Sequence, residues 1–108
     1  KFMEAKLRAT YKMEKRDYTN VLKRGVGRCE RPGCPRDGPS GGECSEGYEQ
    51  TFDWDHLKEE TKECNISQIC GNRSPLATAQ PVIDAERAKC RLLCRNCHHT
   101  RHKWDTRE

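Results

Sequence analysis

Cys29 and Cys34 form a Cys-x4-Cys pair, and Cys94 and Cys97 form a Cys-x-x-Cys pair some 60 residues further on. These are four of eight cysteines in a chain of 108 residues. Leu, Ile, Val and Phe together number only 14, and 35% of the residues are charged. A composition like that ordinarily fails to fold, because too little apolar surface is available to offset the entropy of ordering the chain. The cysteines are therefore the expected staple. Each short spacing lets both of its sulfurs face one ion, and two such pairs close a tetrahedral structural Zn²⁺ site. Zinc held this way supplies about 10 kcal/mol or more of folding free energy in small modules. Cys44, Cys64, Cys70 and Cys90 are expected to be buried thiols, in preference to a second weak site or disulfides.

Two rivals use the same residues. A mature secreted disulfide scaffold fits an even cysteine count, and Asn65-Ile66-Ser67 and Asn72-Arg73-Ser74 match the glycosylation pattern. Cys94-Arg95-Asn96-Cys97-His98 also matches c-type haem attachment. Haem leaves Cys29, Cys34 and Asp55-His56 without a role, and the chain has few apolar residues to wrap a porphyrin.

Charge is unevenly placed. Residues 1–28 carry nine Lys/Arg against three Asp/Glu, residues 29–86 five against twelve, and residues 87–108 seven against two. Basic flanks around an acidic middle suit a polyanion-binding body that also holds cations, although solvated helix charges have the same signature. No apolar run approaches the roughly 18 residues of a membrane span, so no membrane partner is expected. No signal-like segment follows the first residue.

Met3, Leu7, Tyr11, Tyr18 and Leu22 recur at helical spacing and predict a basic amphipathic helix over 1–24 that stops at Gly25. Residues 25–47, including Gly38-Pro39-Ser40-Gly41-Gly42, read as a turn-rich loop. The alternation over Tyr48–His56 predicts a strand, with Tyr48, Gln50, Phe52, Trp54 and His56 on one face. Residues 57–78 read as irregular, Pro81–Lys89 as a short helix, Arg91–Leu93 as a second strand, and Arg95–Trp104 as a final helix.

All four histidines fall in two clusters, Asp55-His56 and the stretch with His98, His99 and His102. His98 and His102, four apart on one predicted helix, point from the same face. If the strand end meets that face, Asp55, His98 and His102 can hold one divalent cation, with His56 left to activate water. The alternative for this set is exposed histidines on a basic helix.

Phe52-Asp53-Trp54-Asp55-His56, Asn65-Ile66-Ser67 and the run Glu86 to His98 together resemble the HNH endonucleases, the ββα-metal or His-Me finger nucleases, in their zinc-stabilised form. The resemblance covers about residues 29–103. It implies an α+β fold: a small treble-clef-like zinc domain over 25–108 with a ββα-metal core, preceded by the N-terminal helix. It implies His56 as general base, Asp55 and His98 as catalytic metal ligands with His102 one turn on, and Cys29, Cys34, Cys94 and Cys97 around structural zinc. The implied cofactors are Zn²⁺ and a catalytic Mg²⁺ or Mn²⁺, and the implied partner is DNA, with RNA also open. Arg95 and Arg101 are candidates to steady phosphate charge.

A monomer or a homodimer fits, since one site cuts one strand. Zinc-bound cysteines imply a reducing, intracellular compartment. One departure stands out. Many members orient the base with an Asn about nine residues before the helix ligand, a position close to Lys89 here. A non-catalytic zinc module that binds nucleic acid or protein is the alternative.

Overall fold

The structure, a computed structural model, describes residues 2–36 and 42–105. The Gly38–Gly41 part of the expected loop and the side chain of Met3 lie outside the described residues. The elements are α1 (Phe2–Val26), β1 (Phe52–His56), α2 (Ile66–Gly71), α3 (Leu76–Arg87), β2 (Cys90–Cys94), α4 (Arg95–His99) and α5 (Arg101–Trp104). It is a small α+β protein whose sheet has two antiparallel strands, β1 and β2. Lys1–Val21 with His56–Cys90 form one unit, and Leu22–Asp55 with Arg91–Glu108 form the other.

In the first unit, α2 packs on α3 around Ile66, Ile69, Ala79 and Ile83. The segment expected to be irregular thus contains a helix. The Asn65 N–H donates to Gln68 Oε1 at 3.4 Å, so Asn65 opens α2. Helix α3 starts at Leu76, five residues before the expected Pro81, which sits inside it. On α1 the buried residues of this unit are Lys15 and Thr19, with Tyr11 and Tyr18 half-buried beside them and Leu7 half exposed. The expected apolar stripe therefore has a lysine at its centre. Lys15 Nζ donates to the Asn72 backbone O at 2.9 Å, Asn72 Oδ1 at 2.6 Å and Ser74 Oγ at 3.5 Å, which matches the three donors of an ammonium. Burial lowers the Lys15 pKa.

In the second unit, the last turn of α1 runs through Gly25 to Val26. Gly27, at φ +85°, ends it and donates its N–H to Lys23 O at 3.0 Å. The chain then pairs Cys29 N–H with Gly42 O at 2.7 Å and Cys44 N–H with Gly27 O at 2.9 Å, forming a short ribbon. A Cβ on Gly42 would stand 2.4 Å from Arg36 O, so only glycine fits this crossing. Residues Glu49–Thr51 form a 3-10 turn, and Tyr48 is exposed, so the strand is shorter than its sequence pattern suggests.

Along β1, Phe52 and Asp55 are buried rather than alternate residues. The core of this unit is Cys29, Cys44, Phe52, Leu92, Leu93, Cys94 and Cys97, with Val26, Cys34, Trp54 and Trp104 against it. The final helix is broken at Thr100, where φ is −101°. Thr100 Oγ1 donates back to Asn96 O at 2.8 Å at this break.

Candidate metal centres

Four thiols converge at the ends of the ribbon and of β2. The sulfurs of Cys29, Cys34, Cys94 and Cys97 all lie within 4.8 Å of one another. Tetrahedral zinc with Zn–S bonds of about 2.3 Å needs sulfur–sulfur edges of about 3.8 Å, and Cys34 and Cys97 stand 3.6 Å apart. Four soft donors and no hard one fit Zn²⁺. Cys29, Cys94 and Cys97 are buried, and burial pushes their thiols up; Cys34 is partly open. For Cys34, burial is outweighed by hydrogen bonds from the Arg36 backbone and the neighbouring thiols, and its pKa is lowered.

Arg31 Nη1 donates to Cys97 Sγ at 3.6 Å, and Arg31 Cζ lies 4.8 Å from the centroid of the Trp104 ring. Trp104 Nε1 donates to Cys97 O at 3.0 Å. Of the other cysteines, Cys44 and Cys90 are buried, while Cys64 and Cys70 are half-buried. All eight are free thiols.

In the same unit, a second polar cluster joins β1 to the start of α4. Asp55 carries its carboxylate at 1% exposure. Oδ2 accepts from Arg91 Nε at 3.0 Å, Oδ1 accepts from Arg101 Nη1, and His98 Nε2 lies 3.5 Å from Oδ1. Behind His98, Asp53 Oδ2 stands 3.0 Å from Nδ1. A carboxylate on Nδ1 fixes the ring so that Nε2 faces Asp55. Asp53 is a site residue that sequence reasoning missed. The available signal was its position two before Asp55, which in a regular strand puts both on one side.

His102 is exposed on α5, and the break at Thr100 removes it from the helical face it was expected to share with His98. Among the described residues, the four cysteines are the only group of three or more metal-ligating side chains this close together, so Asp55, His98 and His102 do not form one. Arg101, not His102, takes Asp55. Arg95 Nη2 donates to Gln50 O at 2.7 Å.

His56 belongs to the first unit, where its side chain is 8% exposed. Its Nε2 lies 2.9 Å from Oε1 of Glu86, a carboxylate 1% exposed on α3. Lys89 Nζ donates to Oε2 at 2.6 Å, and the backbone N–H groups of Glu63 and Cys64 point at Oε1 from 3.3 and 3.5 Å. Burial alone would raise the Glu86 pKa. The bonds from Lys89, His56 and the two N–H groups overcome it and hold the carboxyl at about 2. Glu86 was also missed. Its signal was a carboxylate falling on the stripe of Ala79 and Ile83, where an apolar residue is expected.

The chain matches no protein family, no curated protein and no solved structure. Among the described residues, no helix is long and apolar enough to cross a membrane.

Proposed function

We propose that the chain is a metal-dependent DNA endonuclease of the ββα-metal type, built on a treble-clef-like zinc domain. The observation that carries this reading is the Asp53–His98–Asp55 arrangement, a buried carboxylate and an imidazole whose Nε2 is aimed at it by a second carboxylate. Asp55 Oδ1 and His98 Nε2 would hold one Mg²⁺ or Mn²⁺. Their 3.5 Å separation is near the roughly 3 Å between adjacent ligands of an ion with bonds of about 2.1 Å. When bound, the cation supplies stabilisation of charge on the phosphate and its leaving oxygen.

The remaining work falls to the chain. His56 takes a proton from the attacking water. The basic ends of the sequence bind the phosphate backbone with little regard for sequence. Zinc at Cys29, Cys34, Cys94 and Cys97 holds the start of α4, and with it His98, in place. Such a site cuts one strand, so a monomer nicks and a homodimer is needed for a double-strand break.

The test is relaxation of supercoiled plasmid in Mg²⁺ or Mn²⁺ against EDTA. The native chain is compared with His56→Ala and His98→Ala at matched zinc content and circular dichroism. Nicking that falls about a hundredfold or more in both variants is expected. A native chain that binds zinc and DNA without cutting overturns the reading. The non-catalytic zinc module would then take its place. That alternative has one observation of its own: Arg91 and Arg101 together already neutralise Asp55.

A further inference from the structure

In the first unit, His56 Nε2 lies 2.9 Å from Oε1 of Glu86. The contact is a built one. Glu86 is buried on α3, and its two oxygens are assigned different partners: Oε2 to Lys89, Oε1 to the His56 ring and the two backbone N–H groups. Lys89 is itself tied to Thr61 O at 2.8 Å, and Cys90 Sγ donates to Glu86 O at 3.2 Å. The carboxylate therefore has little freedom to turn away from the imidazole. An ionised carboxylate accepts and cannot donate, so the His56 nitrogen facing it carries the proton. In a neutral ring this fixes the tautomer, and the basic lone pair then resides on the other nitrogen.

We propose that Glu86 is the positioning residue of His56, receiving the Nε2 proton and so making Nδ1 the basic nitrogen of the ring. A buried carboxylate behind a histidine performs this service in unrelated hydrolases, where loss of the correct tautomer removes most of the rate. The proposal rests on the nuclease reading for what Nδ1 does, but the hydrogen bond and the tautomer are properties of the folded chain alone.

The test separates the two. Long-range ¹H–¹⁵N spectra of the zinc-loaded full chain report the tautomer of each imidazole, and His56→Gln assigns the resonance. The native chain is expected to show His56 protonated at Nε2 at pH 8. Glu86→Gln, whose amide oxygen still accepts, is expected to keep that tautomer and retain nicking within about tenfold. Glu86→Ala is expected to show mixed tautomers and lose nicking by about a hundredfold or more. Where Glu86→Ala fails to fold, Glu86→Gln carries the decision: its Nε2–H tautomer supports the proposal and any other overturns it. A native His56 protonated at Nδ1 overturns it, as does a folded Glu86→Ala with an unchanged tautomer. If the tautomer is as expected while the native chain cuts nothing, the nuclease reading fails and the role of Glu86 in holding the ring stands.

Discussion

Glu86 is a buried carboxylate held by Lys89, His56 and two backbone N–H groups. Its pKa of about 2 in the folded chain lies below the ordinary glutamate value of 4.5. The folded state therefore binds its proton less readily than the unfolded state does. The stability it contributes is complete above pH 4.5 and is lost as pH falls from 4.5 through 2. Urea unfolding between pH 6 and 2 should show native stability falling through that window. Glu86→Gln should be less stable at pH 6 and fall less steeply, and parallel curves would refute the assignment. This residue was missed because a carboxylate on the apolar stripe of Ala79 and Ile83 signals burial without naming its partner. Asp55 and His98, both singled out in the sequence, stand 3.5 Å apart in the second unit, while the i, i+4 pairing of His98 with His102 is undone by the break at Thr100. Asp53 and Glu86 contact His98 and His56, and their sequence signals do not say which residue each will meet.

At the scale of elements, legibility followed the strength of the local constraint. β2 and the start of α4 were readable because a Cys-x-x-Cys pair fixes a turn between a strand and a helix. α1 was readable from its period, although Lys15 occupies the middle of the buried stripe. α2 was not, since six polar-flanked residues give too little periodicity to register. The end of the chain failed for another reason. Arg95–Trp104 has a helical period throughout, and the folded chain divides it at Thr100.

That division exchanges residues over Asp55, bringing in Arg101 in place of His102. An arginine on the very oxygen that would face a divalent cation competes with it. Removing Arg101 by Arg101→Met should tighten Mn²⁺ binding, followed by electron paramagnetic resonance, about two- to fivefold. This is the upper range for a part-exposed ion pair. Unchanged or weaker binding would show that Arg101 holds Asp55 in place and does not compete for it.

For the molecule as a whole, the thin core decides what a metal ion on the four cysteines would be worth. The core of the second unit has seven buried members, and four of them are cysteines, three around the metal site and Cys44 beside it. Without metal, that leaves Cys44, Phe52, Leu92 and Leu93, with Val26, Trp54 and Trp104 against them, to hold it. Removing zinc with a strong chelator should therefore unfold this unit. The near-ultraviolet circular dichroism of Trp54 and Trp104 should collapse as about one zinc per chain appears in a colorimetric assay. Retention of the tryptophan signal after full zinc release would mean that the thiols fold without it. The helices of the first unit pack around Ile66, Ile69, Ala79 and Ile83, a cluster that includes none of the four ligands.

The four thiols also set an order of events during synthesis. Cys29 and Cys34 are made some 60 residues before Cys94 and Cys97, and the strand pair β1–β2 is separated by the 33 residues between His56 and Cys90. Both closures wait for the same late segment. Until it arrives, the nascent chain presents a dithiol that is half of a metal site. During that interval the pair, with two of the four thiols still unmade, is open to oxidants and to stray metals. Maturation is thus most exposed to redox stress before the sheet exists, and a brief oxidising pulse should harm newly made chains far more than finished ones.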